Sequence, residues 1–298
     1  MTEPATRAAP VGAPPSQDPA PGAAGGGVPA STGTRGRRHN AFWRLRGEIP
    51  LGLRAGLFVA GLVSLVGLWI LLAATSGEGF PVPNPVETIT AGKRLWDEGL
   101  LWPDLVASVQ RVAIGYSISA VIGITLGVLI GSFRSAESFF EAPVGFLRYI
   151  PATALLPLFL FWLGIDETPK IVLIVVGTVF YNILMVADVA RGVPRELISA
   201  AYTLGAGRLK VLGRVILPHS VPGIVDVVRI NLAAAWLMLV VAELLAAQEG
   251  LAFRIVRAQR FRNVDEMFAL LLIFGVIGVA SDLVLRWLRN RISPWARA

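Results

Sequence analysis

Residues 199–218 read SAAYTLGAGRLKVLGRVILP, with Gly205 and Gly207 side by side with Arg208, Lys210 and Arg214. Hydrocarbon would not tolerate that charge, yet the weakly charged runs 169–189 and 221–247 flank it. Each run is long enough to cross a bilayer as a helix, which takes about 20 residues. The stretch therefore reads as a polar connector between two membrane crossings.

Working outward, four more runs of the same kind lie at 52–76, 107–132, 140–164 and 265–288, giving six. The 298 residues are 54% hydrophobic and 16% charged, well below the roughly 25% charge of soluble domains. An open sheet edge in lipid leaves backbone groups unpaired, and the runs lack the alternation of barrel strands. The expected fold is an all-α membrane protein with six transmembrane helices. Residues 1–40 are rich in Pro, Ala and Gly and are expected to form a disordered tail ahead of a membrane domain at 41–298. The basic patch RGRRHNAFWRLR (35–46) has the look of a twin-arginine signal. The uncharged run that follows it exceeds a signal core and suits a full span.

Lys and Arg orient the bundle. With the N-terminus inside, the inner segments hold sixteen, among them Arg35, Arg134, Arg191, Arg195, Arg214 and Arg289. The outer segments hold seven: Lys93, Arg94, Lys170, Arg254, Arg257, Arg260 and Arg262. This asymmetry predicts cytoplasmic termini, places the 191–220 connector on the cytoplasmic face, and accounts for the net charge of +7 without nucleic acid. There is no cysteine, and His39 and His219 are the two histidines, so no metal site is expected.

Within the connector, Leu197, Ala200, Ala201 and Leu204 fall at i, i+3, i+4 and i+7, one apolar face of a short helix. Gly205 and Gly207 break the period; Leu209, Leu212, Gly213 and Ile216 resume it, and Pro218 opens a new segment. Two readings fit this pattern: a pair of interfacial helices on the headgroups, or an element that docks into a partner's groove.

The connector resembles the cytoplasmic loop motif of ABC importer permeases, E-A-A-x-x-x-G followed by I-x-L-P, carried here by Ser199, Ala200, Ala201, Gly205, Ile216, Leu217 and Pro218. Ser199 stands where the motif has Glu, and Glu196 lies one turn earlier. PNPVET (83–88), ASVQRVAIGY (107–116), LRYIPATALLPLFLFWLGIDETPK (147–170), AWLMLVVAELLA (235–246) and QRFRNVDEMFALLLIFGVIG (259–278) are similar to the nitrate, sulfonate, taurine and bicarbonate branch. The resemblance implies a type I ABC importer permease fold in the bacterial cytoplasmic (inner) membrane. It implies that Glu196, Ser199, Ala200, Ala201, Leu204, Gly205, Arg208, Ile216 and Pro218 form a coupling helix gripped by an ATPase. The partners it implies are two ATPase subunits carrying ATP and Mg, a second permease copy, most simply as a homodimer, and a periplasmic or lipid-anchored binding protein. No cofactor is expected on this chain.

Inside the spans, Gly115, Ser119, Gly123, Gly127 and Gly131 recur every four residues, a stripe that admits a close helix neighbour in this chain or across a dimer. Pro151 and Pro157 are expected to kink the 140–164 helix and make it a pathway wall. Arg148 is the candidate for attracting an anion. Glu243, after thirteen uncharged residues (230–242), either lines the path or bonds another helix. Arg229 is a further pathway candidate, with Asp226 three residues away as its expected partner. Arg254, Arg257, Arg260 and Arg262 either rest among headgroups or meet an acidic surface or an anion.

The chain has no G-x-x-x-x-G-K-[ST] loop to cradle ATP phosphates and no H-E-x-x-H, so neither an ATPase nor a zinc hydrolase is written in it. The competing class is an ion- or proton-coupled secondary transporter with Asp226 and Glu243 as carriers.

Overall fold

The computed structural model describes residues 50–77 and 81–296. The expectation for the 1–40 tail lies outside them. The chain divides into two units, 1–59 and 60–298. Of the first, the described residues enter helix α1 (Leu51–Thr75). None of the residues of α1 is buried, as suits a helix that is apolar all round and meant for lipid.

The second unit contains α2 (Pro85–Asp97), α3 (Leu101–Ser132), α4 (Arg134–Leu147), α5 (Leu156–Leu163), α6 (Glu167–Arg191), α7 (Arg195–Thr203), α8 (Arg208–Val211), α9 (Leu217–Ala246), α10 (Leu251–Arg260) and α11 (Val264–Ile292). Among the described residues there is no strand. Among the described residues five helices are long and apolar enough to cross a membrane, and a sixth crossing arises if the bent pair Arg134–Leu147 and Ala152–Leu163 is one span.

The α3, α6 and α9 helices form the core. Val112, Tyr116, Ile174, Ala235 and Leu239 make one buried cluster, and Val128, Val186, Ile224 and Val227 another. The small-residue stripe fixes how close α3 and α6 come. A Cβ on Gly127 would lie 2.7 Å from the Ile183 carbonyl oxygen, and one on Gly131 2.5 Å from that of Ala187. Backbone cannot yield as a side-chain tip can, so glycine is what fits. The neighbour that the stripe admits is α6 of the same chain.

The expected 140–164 helix is broken instead. Helix α4 ends at Leu147, Pro151 has extended ψ (105°) and caps a 3-10 turn at Ala152–Leu155, and α5 follows at a bend of 76°. Proline disfavours helical geometry in the residue before it, which ends the helix near Ile150. Pro157 does not kink anything: it occupies the first turn of α5, where its missing N–H is no loss.

Two helices lie outside both the six expected runs and the connector. The Asn84 side chain accepts from the Glu87 N–H at 2.9 Å, while Glu87 Oε2 accepts from the Asn84 N–H at 3.0 Å. This capping box starts α2, which packs on α11 through Gly92 and Ala269. The second, α10, follows Gly250 at φ 124°.

Candidate functional site

At one end of the bundle the 191–220 connector folds as α7, a glycine turn, α8 and a π-helical turn at Leu212–Ile216 that leads into α9. From Arg208 to Ala246 the chain forms one rod of 39 residues. Gly205 has φ 78°, its N–H donates to the Tyr202 carbonyl at 2.9 Å, and the Ala206 N–H donates to the Ala201 carbonyl at 3.0 Å. These are the two bonds of a Schellman cap, and glycine takes the left-handed position without penalty. Pro218 and Pro222 lie in the first turns of α9 and cannot donate to the carbonyls of Arg214 and Pro218.

The apolar residues of the connector divide between two directions. Ile198, Ala201 and Ala206 pack against Ala190, Val193, Val211 and Ile216 and hold the connector to the end of α6. Leu197, Ser199, Ala200 and Glu196 are exposed, and Leu204 and Leu209 are 87% and 79% exposed. The stripe read from the sequence is therefore split: Ala201 and Ile216 brace the connector, while Leu204, like Arg208, stands exposed.

A second feature is the break between α4 and α5. Arg148, Tyr149, Thr153, Gly177, Tyr181 and Met238 line a cleft of about 320 Å³ beside it. Arg148 is half-buried, lies 5.0 Å from the Tyr149 ring centre and donates to the Tyr149 hydroxyl at 3.1 Å. Among the described residues it has no carboxylate partner within 4.0 Å, which leaves its charge available to a ligand.

At the end away from the connector lies a buried network of charges. Glu243, 1% exposed, accepts from Ser108 Oγ at 2.6 Å, Arg111 Nη1 at 2.9 Å and the Ala252 N–H at 2.9 Å. Arg111 also binds Glu167 at 2.5 and 2.9 Å, and Lys170 binds Glu167 at 2.7 Å. Asp104 accepts from the Gly250 N–H at 2.8 Å and pairs with Arg254. Two carboxylates and the Ser108 hydroxyl thus satisfy the first N–H groups of α10, where an anion is favoured. Glu243 bonds another helix, and Arg254 turns inward; Arg257, Arg260 and Arg262 remain exposed.

The Asp226 and Arg229 pair expected from spacing is replaced by two bridges to α11. Asp226 meets Arg289 at 3.1 Å, and Arg229 meets Asp282 at 3.3 Å. Arg229 thus sits between α9 and α11, away from the cleft at Arg148.

Residues 122–297 match the profile of the family described as binding-protein-dependent transport system inner membrane component, more than half of the chain. The chain belongs to this family. The permease is 37% identical over 245 residues to a probable ABC transporter permease protein of Brucella melitensis, covering 82% of this chain and 97% of the relative. It is 33% identical to the taurine transport system permease protein TauC of Escherichia coli (85% and 94% covered). It is 31% identical to the putative aliphatic sulfonates transport permease protein SsuC of Bacillus subtilis (84% and 90%). Its fold is shared with a chain of the inward-facing MetNI methionine ABC transporter, at TM-score 0.59 and 22% identity, covering 65% of this permease and 98% of that chain. A chain of a bacterial alginate ABC transporter, in complex with an alginate-bound periplasmic protein, aligns at TM-score 0.53 and 14% identity (81% and 94%). The permease is thus the membrane component of an ABC importer, with the type I permease fold in the inner membrane.

Reading the sequence for charge missed one buried feature of the permease. Asn182 Nδ2 donates to Ser119 Oγ at 3.0 Å, Asn231 Nδ2 donates to Asn182 Oδ1 at 2.8 Å, and Thr178 Oγ1 lies 2.7 Å from Ser119 Oγ. This ladder joins α3, α6 and α9 inside the apolar core. Its signal in the sequence is neutral polar residues within apolar runs, among them Asn182, Asn231 and Thr178 on the face that meets Ser119 of the glycine stripe.

Proposed function

We propose that the connector at 195–216 is the coupling element, docked on an ATPase subunit through Leu204, Leu209, Tyr202 and Ala200. The carrying observation is the bare leucine pair at the tip of a loop that is rigidly capped and braced from behind. Leucines 87% and 79% exposed have no stabilising surroundings in water, whereas a partner's groove would bury them at about 25 cal/mol per Å². The Lys and Arg asymmetry supports placing this end and both termini in the cytoplasm.

In this reading the permease pairs with a second copy and two ATPase subunits, which bind ATP and Mg, and a binding protein delivers substrate to the opposite face. Closure of the ATPases moves the docked connectors together and switches the bundle between inward- and outward-facing states. The Arg148 cleft belongs to the path, with the half-buried, carboxylate-free Arg148 charge attracting a small anion or zwitterion. Relatives named for taurine and aliphatic sulfonates make a sulfonate the class to test first. In this reading the exposed Arg257, Arg260 and Arg262 meet the delivering protein.

The test is co-purification of the ATPase with Leu204→Glu and Leu209→Glu variants, beside ATP-dependent uptake of a radiolabelled sulfonate. Loss of both ATPase capture and uptake, with an unchanged unfolding temperature of the permease, is the expected result. Intact capture in the double variant would show the connector to be a surface helix.

A further inference from the structure

We infer that Arg191 is a positioning residue that couples the connector to the Arg148 cleft, by clamping α4 to the foot of α6 so that α4 acts as a strut. This rests on the connector being the coupling element, and adds the route by which its movement reaches the path.

Arg191 is the last residue of α6. Its Nη1 lies 3.1 Å from Glu137 Oε1 and 3.1 Å from Glu141 Oε1, both on α4, and its Nη2 lies 3.2 Å from Asp188 Oδ1. On either side of it in the chain, Ala190 and Val193 are buried against Ile198 and Ala201 of the connector. The end of α6 thus holds α4 by charge and α7 by packing.

Along α4, Glu137, Phe140, Glu141, Val144 and Arg148 fall at i, i+3, i+4, i+7 and i+11, a single helix face. From Glu137 to Arg148 that face runs about 16 Å at a rise of about 1.5 Å per residue. Val144 seats its middle in the cluster that holds Ile183 and Ala187 of α6, and Arg148 ends it in the cleft. The opposite side carries Phe139 and Phe146, 71% and 69% exposed, so among the described residues nothing supports α4 from behind. Pro143, inside α4, cannot donate to the Phe139 carbonyl, which weakens the rod between the clamp and Val144. Val144 alone is a pivot. With the Arg191 clamp α4 has two points of attachment to α6, which fix its direction. Exposed ion pairs contribute little to stability, so the clamp acts on position more than on folding.

The chain has no cysteine, so Thr153→Cys puts a single thiol in the cleft. The test assembles this permease with its ATPase in nanodiscs and follows modification of that thiol by an anionic thiosulfonate, nucleotide-free and trapped with ATP and vanadate. The two rates differ about tenfold with Arg191 present and converge in Arg191→Gln, at the usual strength of coupling between two sites. ATPase capture, ATP hydrolysis and unfolding temperature hold. Arg191→Glu combined with Glu141→Arg restores the difference. Rates that still differ in Arg191→Gln overturn the inference, as do rates that agree with Arg191 present. An equal convergence in Arg134→Gln, whose side chain is 92% exposed, marks a diffuse charge effect, and convergence that the exchanged pair does not restore marks lost packing; either overturns it. Loss of ATPase capture in Arg191→Gln puts Arg191 in the dock itself and overturns the strut. Failure of the coupling reading looks different, because ATPase capture then survives Leu204→Glu with Leu209→Glu.

Discussion

Arg111 Nη1 and Glu243 Oε1 meet at 2.9 Å with side chains 3% and 0% exposed, although 132 residues separate them. Around this pair the network is fully bonded, so neither charge faces low dielectric alone. Breaking such a pair from one side costs about 3–5 kcal/mol. Glu243→Leu removes in addition the acceptor for the Ala252 N–H at the start of α10. The expected result is a permease that unfolds several degrees lower in detergent. Arg111→Met combined with Glu243→Leu loses less than the sum of the two, because no charge is left stranded. Thermal unfolding of the four-member cycle checks this; strict additivity would deny that the pair acts as a unit.

Close approach of α3 and α6 makes a contrasting pair of glycine predictions. Gly131→Ala places a methyl group 2.5 Å from the Ala187 carbonyl oxygen and 2.7 Å from the Ala190 Cβ. Forcing the helices apart costs about 1–3 kcal/mol and lowers the yield of folded protein. Gly145→Ala, with nothing within 4 Å of the new methyl, is neutral or gains about 0.5–1 kcal/mol from helix propensity. Expression and unfolding temperature, compared between the two, test whether space or conformation governs these glycines.

The sequence made some of this legible and concealed the rest for physical reasons. Long apolar runs reveal spans because the bilayer demands continuous length, so five of the expected runs overlap helices long and apolar enough to cross, although the helix over 107–132 starts at Leu101 and the rod over 221–247 starts at Arg208. The sixth was read as one helix at 140–164, and the rules for the residue before proline, applied to Ile150, would have broken it. The partner of Glu243 is not legible in the sequence because its cation, Arg111, lies 132 residues away on another helix. Local spacing paired Asp226 with Arg229, where α11 offers Arg289 and Asp282 instead. In the connector, period alone marked Ala201 and Leu204 as one face, since spacing cannot tell which part of a broad stripe the chain itself consumes.

Gly205 allows a graded test of the connector's pose. At φ 78° an alanine is strained by about 1–2 kcal/mol, whereas asparagine tolerates the left-handed region better. ATP-dependent uptake is expected to fall in the order Gly, Asn, Ala, Val, with global unfolding temperature changing little because the turn is exposed. Uptake indifferent to the series would mean that the Schellman turn does not set the position of Leu204.

For Arg148 the expectation is electrostatic. Arg148→Gln removes an available guanidinium from the cleft and raises the apparent KM for an anionic substrate about five- to tenfold at low salt. Arg148→Lys preserves most of the effect, and added salt narrows the difference between wild type and Gln. Uptake kinetics in proteoliposomes at two ionic strengths decide it; a salt-independent defect would make Arg148 a packing residue.

Asn182 is at once donor to Ser119 and acceptor for Asn231 in the middle of the three-helix core. Interhelical hydrogen bonds in membranes contribute about 0.6 kcal/mol on average and up to about 1.7, so the bonds themselves are modest. Leaving a buried partner unsatisfied costs about 1–3 kcal/mol more. Asn182→Leu strands the Asn231 amide and is expected to destabilise by about 2–4 kcal/mol. Asn231→Leu added to it removes that stranded donor and recovers part of the loss, because two apolar side chains then face each other. Unfolding measured for both single variants and the double variant separates the strength of the bonds from the cost of orphaning their partners. If the double variant is the least stable of the three, packing around the asparagines and not their pairing holds α6 to α9.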